Sequence, residues 1–277
     1  MKSNLISRKF LSLILLLVLC FFAGILLGSV SLSPINVLRC LAGFDKDTTD
    51  YILINTVRLP RVIGACVAGM GLSTAGVILQ SVMNNSLASP NTIGVNSGAG
   101  FAVMLSLMFG SNRTLGIPIA AFAGSLAATL IIYGLAYMAD SSRTTIILAG
   151  ITVSSFLNAG INTIKLLDTD ITINLTTFMI GSLSGLTFET LQFPIIAILI
   201  ALILSFLFAR SINVLSLGDE TARSLGLHVT AVRLFLLVLS SILSGCVVSY
   251  AGLLSFVGLI IPHICRRLFG NDARYLL

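Results

Sequence analysis

A long uncharged segment constrains this chain more than any other feature. From Val62 to Asn112 the sequence contains no Asp, Glu, Lys or Arg. As one straight helix at about 1.5 Å per residue, the segment would extend about 75 Å, whereas the hydrocarbon core of a bilayer is about 30 Å thick. It must therefore fold back on itself. Only 9% of all residues are charged, against about 25% in soluble domains, so the sequence predicts an integral membrane protein.

The few charged side chains mark the limits of the predicted membrane spans. A charge at a helix centre costs roughly 2.5–3.5 kcal/mol on insertion scales, so crossings should lie between charges. A polar run at Asn84–Asn91, which contains Pro90, divides the longest stretch. The predicted spans lie near residues 10–30, 62–82, 92–110, 115–138, 144–164 and 190–209, with one or two more in 234–265.

The distribution of positive charge indicates how many times the stretch at residues 234–265 crosses the membrane. Positive side chains prefer the cytoplasm, and an even number of spans keeps most of them on one side. The inner cations are then Lys2, Arg8, Lys9, Arg143, Arg210, Arg223, Arg233, Arg266, Arg267 and Arg274. The outer ones are Arg39, Lys46, Arg58, Arg61, Arg113 and Lys165. We therefore predict an all-α, polytopic membrane helix bundle of about eight transmembrane helices, with a cytoplasmic N-terminus and a short last span broken from its predecessor near Gly252.

Motifs for chemistry at a fixed site are missing from the sequence. It contains no G-x-x-x-x-G-K-[ST] and no H-E-x-x-H, and its five cysteines are scattered singly. The predicted spans contain no acidic residue, which disfavours proton coupling through a buried carboxylate. We therefore expect no catalytic activity, no metal site and no cofactor. The net charge of +6 fits cytoplasmic loops and membrane lipid, and it requires no nucleic acid partner.

Two polar segments suggest contacts with other molecules. On the predicted outer side, Arg58 and Arg61 flank Pro60 just before the second span. Two guanidinium groups at one helix mouth can hold carboxylates bidentately, or they can anchor the helix at the level of the lipid headgroups. Both interpretations fit the residues.

The second polar segment is the predicted cytoplasmic stretch at residues 210–233. Ser216 followed by Asp219 predicts a capping box, and Gly226 predicts the helix end. Ala222 and Leu225 would then share an apolar side of a short helix. Such a helix either docks into a cytoplasmic partner or rests on lipid.

Longer motifs at these positions and elsewhere resemble one known family. They are R-L-P-R at 58–61, N-S-L-A-S-P-N-T-I-G-V-N-S-G-A at 85–99, L-A-G-I at 148–151, G-S-L-S-G at 181–185, L-S-L-G-D-E-T-A-R-S-L-G at 215–226 and S-F-V-G-L-I-I-P-H-I-C-R-R at 255–267. In this order they resemble the FecCD-type permeases of ABC importers for iron-siderophores, haem and cobalamin, and the match covers nearly the whole chain.

The resemblance implies a single transmembrane permease domain over residues 1–277 in the bacterial cytoplasmic membrane. It also implies a second permease subunit, identical or different, an extracytoplasmic substrate-binding protein, and a separate ATP-binding subunit. Arg58 and Arg61 are the residues expected to dock the binding protein. The segment expected to couple to the ATPase comprises Leu217, Gly218, Asp219, Glu220, Thr221, Ala222, Arg223, Ser224, Leu225 and Gly226. The cytoplasmic gate is expected at the turns Asn85–Leu87 and Ser142–Thr144, with Asn85, Leu87 and Thr144 as its residues.

Two departures from the family pattern stand out. Ser86 occupies a position where the family usually has proline, which removes a rigid residue from the turn. Family members also continue for two more spans beyond residues 270–277. The resemblance therefore implies a C-terminally short version of the ten-helix type II importer fold.

The function that the resemblance implies is transport of an iron complex, with an iron-siderophore favoured and haem or cobalamin as alternatives. ATP hydrolysis is expected on a partner subunit and not on this chain. An ion-coupled secondary transporter and a non-transporting membrane subunit are the alternatives from other classes.

Overall fold

The computed structural model describes residues 2–28, 30, 32–110, 116–139, 142–167, 175–176 and 178–277. Throughout these residues the regular elements are helices, as the sequence predicted. Arg113, which the charge pattern assigned to the outer side, lies outside the described residues.

The helices are labelled here in chain order. They are α1 (Lys2–Leu26), α2 (Pro34–Leu41), α3 (Thr49–Val82), α4 (Val95–Met108), α5 (Gly116–Ala139), α6 (Arg143–Leu167), α7 (Phe188–Leu207), α8 (Ala209–Leu215), α9 (Asp219–Ser224), α10 (Val229–Ala251), α11 (Val257–Phe269) and α12 (Ala273–Leu276). Of the described helices, six are long and apolar enough to cross a membrane, namely α1, α3, α5, α6, α7 and α10. The predicted fold class, an all-α polytopic membrane bundle, is confirmed.

Helix α3 is longer than the span predicted within it. It runs for 34 residues from Thr49, whereas the sequence predicted a span at 62–82. The Thr48 hydroxyl accepts a hydrogen bond from the Tyr51 backbone amide at 3.3 Å and caps the helix start. Charged side chains mark where a helix leaves the hydrocarbon region, not where the helix begins, so α3 continues past Arg58 and Arg61 toward its N-terminus.

The predicted break at Asn84–Asn91 is confirmed. Asn84 has a φ of 48°, Pro90 opens a short 3-10 turn to Ile93, and Gly94 is left-handed with φ 74°. Helix α4 follows and has 14 residues, fewer than the about 20 that a full crossing needs. The third predicted span is therefore shorter than expected.

The predicted interruption near Gly252 is also confirmed. Gly252 follows α10 with a φ of 71°, and a Cβ at this position would collide with the carbonyl oxygen of Phe178. Only glycine avoids both the backbone strain and the collision. Helix α11 then has 13 residues and carries Arg266 and Arg267 in its last turn.

The chain divides into two compact units. One comprises Met1–Cys66 with Leu183–Gln192, and the other comprises Val67–Ser182 with Phe193–Leu277. The first unit has a buried apolar cluster formed by Ile25, Leu32, Val37, Cys40 and Ile54. In the second unit, α4 packs against α5 and α6, and α10 packs against α5.

Small residues allow α4 and α5 to approach closely. A Cβ on Gly98 would meet the Gly124 carbonyl oxygen and the Ala128 side chain, and a Cβ on Gly124 would meet Gly98 in turn. Apolar side chains gain little by leaving lipid, so close backbone packing supplies the contact energy between membrane helices.

Replacing Gly98 with alanine is expected to separate these helices. The added methyl group would collide with the backbone carbonyl oxygen of Gly124. This backbone atom cannot move aside as the end of a flexible side chain would. Overpacking of this kind costs about 1–3 kcal/mol. The measurement is the thermal unfolding midpoint in detergent, which should fall. Gly134→Ala on α5 is the matched control, because a Cβ there meets nothing within 4 Å. An equal midpoint for both variants would contradict the packing account.

Candidate functional site

Arg58, predicted to lie on the outer side, is on a π-helical turn within α3, at Ile54–Arg58. Its side chain is buried, with 7% exposed. The guanidinium group donates hydrogen bonds to the carbonyl oxygens of Ile25 at 2.5 Å and Leu26 at 2.9 Å, and to that of Val30. The last carbonyls of a helix have no partner within the helix, so Arg58 caps the C-terminal end of α1.

This placement differs from the expectation that both arginines face a partner protein. Arg61 lies one turn further along α3 and is exposed, whereas the donors of Arg58 are used inside the unit. A Cβ on Gly28 would lie 3.0 Å from a terminal guanidinium nitrogen of Arg58, so the absence of a side chain at Gly28 makes room for this group. The R-L-P-R motif could not reveal the difference, because Arg58 reaches carbonyls about 30 residues away.

The polar segment at residues 210–233 contains the short helix α9, but the predicted capping box is wrong. The helix begins after Gly218, whose φ is 110°, and no side chain caps it. The Ser216 hydroxyl donates instead to the Asn213 carbonyl oxygen at 2.6 Å, at the end of α8. The Asp219 carboxylate is turned toward arginines from two other helices. A capping box needs these side chains to face the backbone at the helix start, and both have other partners here.

The predicted helix end at Gly226 is confirmed. Gly226 has a φ of 81°, its amide donates to the Arg223 carbonyl at 2.9 Å, and the Leu227 amide donates to the Ala222 carbonyl at 3.0 Å. This pair of bonds is a Schellman motif, in which a left-handed glycine satisfies the last carbonyls.

The apolar residues of this segment point in different directions. Ala222 is fully buried, whereas Leu225 and Leu217 are each 63% exposed. The expectation that Ala222 and Leu225 share one side is therefore wrong, because Leu225 lies in the C-cap position, outside the regular helix. The exposed face carries two leucines together with Glu220 and Arg223.

Asp219 joins α9 to two other helices. One carboxylate oxygen lies 2.8 Å from Arg143 at the start of α6, and the other lies 2.5 Å from Arg233 near the start of α10. Burial would by itself raise the pKa of Asp219, but the hydrogen bond and charge of Arg233, with the charges of Arg143 and Arg223, bring it below its ordinary value. The carboxylate is therefore ionised at neutral pH. The contribution of this cluster to stability is present above the unfolded pKa, about 3.9, and is lost as the pH falls through the lowered folded pKa.

The sequence reasoning treated Arg143 and Arg233 only as cytoplasmic charges. Their role was missed because their partner lies 76 and 14 positions away. The sequence offers one signal for their role, which is their position: each arginine stands at the predicted cytoplasmic end of a predicted span.

The two predicted gate turns lie at the ends of different helices. Asn85 and Leu87 lie between α3 and α4, where the Leu87 amide donates to the Asn85 side-chain oxygen at 2.9 Å. This local bond orders the turn although Ser86 replaces the family's proline. Leu87 is 72% exposed at its tip. Thr144 is exposed on the first turn of α6, which the Ser142 hydroxyl caps by accepting from the Thr145 amide at 3.1 Å. Arg143, which precedes Thr144 in the chain, is the residue that contacts Leu215 and Asp219.

A polar cleft of about 270 Å³ lies within the second unit. Across it, the Ser97 hydroxyl donates to the Ser154 hydroxyl at 3.0 Å and the Asn96 amide donates to the Ser255 hydroxyl at 3.3 Å. Its other lining residues are Asn91, Gly100, Asn158, Ile161, Met179 and Leu253. Sequence reasoning did not identify this cleft, because its polar groups come from separate segments. Amide and hydroxyl groups are unfavourable against lipid, so we expect the cleft to hold water or a polar solute.

No group of three His, Cys, Asp or Glu side chains in the described part of the chain is placed to hold a metal ion. The polar groups of the cleft are neutral amides and hydroxyls, which are weak ligands for transition metals.

Comparison with known proteins places these features in context. The model of the FecCD transport family matches residues 15–277. The iron(3+)-hydroxamate import system permease protein FhuB of Bacillus subtilis is 34% identical over 265 residues, covering 95% of this chain and 69% of its own. The hemin transport system permease protein HmuU of Yersinia pestis is 34% identical over 271 residues, with 96% and 80% covered. A solved structure described as an inward-facing metal-chelate type ABC transporter superposes with a TM-score of 0.87 at 28% identity, with 98% of this chain and 84% of that chain covered.

Proposed function

The chain belongs to the FecCD transport family, and on that premise we propose that it is the transmembrane permease subunit of an ABC importer for an iron complex. Its relatives are named as transport permeases, which agrees with a protein that performs no catalysis itself. In this proposal residues 1–277 work as one permease domain of the bacterial cytoplasmic membrane, with the N-terminus in the cytoplasm.

The observation that carries the proposal is the cytoplasmic segment with α9. It presents Leu217 and Leu225 to the exterior while Asp219 is bound to two arginines behind it. Exposed apolar side chains on a firmly held element are typical of a docking surface. We propose that residues 217–226 fit into the ATP-binding subunit, and that ATP-driven movement of that subunit acts on the permease here.

On the outer side, Arg61 supplies the guanidinium group that is free to reach a carboxylate of the substrate-binding protein. Arg58 contributes to the same surface indirectly, since its bonds to the end of α1 hold the backbone from which Arg61 projects. An Arg–carboxylate pair is directional and partly bidentate, which suits recognition between two proteins.

The exposed face of α6 is consistent with contact to a second permease subunit. This helix carries Ser155, Asn158 and Asn162 on its exposed side. Polar side chains in a membrane span usually face a partner helix or a water-filled pathway. We propose that this face meets a second copy or a related subunit around the cargo pathway, with Asn85, Leu87 and Thr144 at its cytoplasmic gate.

The proposed cargo is an iron complex, with an iron-siderophore favoured. One relative is named for iron(3+)-hydroxamate and another for hemin, so the shared class is a chelated iron that enters as a whole. Neutral amides and hydroxyls, as in the polar cleft, contact such a polar complex without binding the metal itself.

Reconstitution tests the proposed function against its alternatives. Proteoliposomes containing the permease, its ATP-binding subunit and the substrate-binding protein should transport a radiolabelled ferric hydroxamate or hemin across the membrane. Transport should occur only when ATP is present on the side of the membrane that carries the ATP-binding subunit. Uptake driven by an ion gradient without ATP would identify a secondary transporter. Absence of both would indicate a non-transporting subunit and overturn the proposal.

A further inference from the structure

Arg143 makes two separate bonds to the cytoplasmic segment. Its guanidinium group donates to the Leu215 carbonyl oxygen at 2.8 Å, at the end of α8, and pairs with Asp219 at 2.8 Å, at the start of α9. The two acceptors stand on either side of the exposed residues Ser216 and Leu217. A displacement of this part of the segment therefore pulls on Arg143.

Arg143 is also the first residue of α6. Thr144, the proposed gate residue, follows it directly, and Ser142 caps the same turn. The bonded path from α9 to the gate turn thus consists of one carboxylate and one guanidinium group. In a rigid helix, a pull on the first residue moves the whole first turn.

Arg233 holds the other oxygen of Asp219 in a different way. Its side chain is 3% exposed, against 18% for Arg143, and its contact with Asp219 is shorter, at 2.5 Å against 2.8 Å. The two contacts on this one carboxylate therefore differ in length and in the burial of the arginine. By both measures Arg233 holds α9 more tightly than Arg143 does.

We propose that Arg143 is a positioning residue that transmits movement of the coupling segment to the gate turn at Ser142–Thr144. The inference rests on the proposed function, and it adds a residue outside both the coupling segment and the predicted gate. Both contacts come from one guanidinium nitrogen, Nη2. Arginine suits the role because Nη2 lies one bond further from the backbone than the ammonium nitrogen of lysine, so lysine at this position reaches the two acceptors less well.

The test uses the complete transporter in proteoliposomes. A cysteine placed at Thr144, with the native cysteines replaced by alanine, carries an environment-sensitive fluorophore that reports the gate turn. Three variants are compared with the parent protein: Arg143→Gln, Arg143→Lys, and Arg267→Gln, an exposed arginine at the end of α11, as the matched control. The readouts are ATP hydrolysis, the change in fluorescence on ATP binding, and ferric hydroxamate imported per ATP hydrolysed.

In the Arg143→Gln variant we expect ATP hydrolysis close to that of the parent protein, no fluorescence change, and import per ATP lowered at least about fivefold, the lower end of known coupling between sites. Arg143→Lys should be intermediate and Arg267→Gln unchanged. A purely structural role would lower hydrolysis and import together.

A fluorescence change and an import ratio equal to those of the parent protein in Arg143→Gln would overturn the inference. If the Arg143→Gln variant does not assemble, the Arg143→Lys variant provides the test. A fluorescence change and an import ratio equal to those of the parent protein in Arg143→Lys would also overturn the inference. A parent protein that shows no ATP response at all would instead overturn the proposed function, so the two failures are distinguishable.

Discussion

A transporter carrying Leu225→Glu is expected to lose its ATP-binding subunit during purification and to stop importing cargo. Leu225 and Leu217 are the large apolar side chains that the coupling segment exposes, each to 63%. Burying one leucine in a partner's cleft contributes about 1.5–3 kcal/mol, and a buried carboxylate without a partner adds a larger penalty. Since 1.4 kcal/mol corresponds to a factor of about ten, affinity should fall well over tenfold. Leu217→Glu should act in the same way.

The fold of the permease should survive these two changes, because both leucine side chains are largely exposed and cover little of the permease itself. The measurements are co-purification of the ATP-binding subunit, uptake, and the thermal unfolding midpoint of the permease alone. Tyr275→Glu on α12 is the matched control, since Tyr275 is also exposed, to 43%, but lies outside the coupling segment. Undiminished co-purification and uptake in the leucine variants would remove the docking surface from the proposal.

The second large effect separates two arginines that stand three positions apart. Arg58→Met should sharply lower the thermal stability and the folded yield, because it leaves the carbonyls of Ile25, Leu26 and Val30 without their donor. Each buried carbonyl that loses its partner costs about 1–3 kcal/mol. Arg61→Gln should leave the unfolding midpoint unchanged, since Arg61 is exposed, yet remove the stimulation of ATP hydrolysis by the substrate-binding protein.

Unfolding midpoints in detergent and stimulated ATP hydrolysis in proteoliposomes measure the two effects on the same preparations. Arg58→Lys tests the geometry, because one ammonium group cannot replace the fork that reaches three carbonyls, and stability should be recovered only in part. A parental midpoint for Arg58→Met would show that the cap is dispensable. Unchanged stimulation with Arg61→Gln would remove Arg61 from the docking surface.

Several elements were predictable because their causes are local. The break at Asn84–Asn91, the end of α9 at Gly226 and the interruption at Gly252 each depend on residues that restrict their own backbone. Most of the long apolar helices were predictable from charge, because the cost of placing a charge in hydrocarbon depends on that residue and its depth alone. The prediction of about eight spans compares with six helices of sufficient length among the described residues, since α4 and α11 are shorter than a full crossing. The same rule misjudged the start of α3, since a helix can continue into water beyond its charged boundary.

The candidate site was predictable only in outline. Motifs singled out Arg58, Arg61 and residues 217–226 as candidates for contact with partner proteins, but they did not separate Arg61 from Arg58 or identify Arg143. The preferred partner of a side chain depends on which groups come within about 3 Å of it. The capping box at Ser216 failed for this reason, since Asp219 found stronger charged partners than a backbone amide.

The sequence alone determined the membrane class, the approximate positions of most spans, and the helix ends at Gly226 and Gly252. It could do so because insertion energies and backbone preferences act residue by residue. Tertiary structure alone decided that Arg58 caps α1, that Asp219 is shared between Arg143 and Arg233, and that Leu225 is exposed while Ala222 is buried. These outcomes depend on hydrogen bonds and packing between segments far apart in the chain. A guanidinium group can bind many different acceptors, and only the packing of the helices determines which of them lie within hydrogen-bond distance.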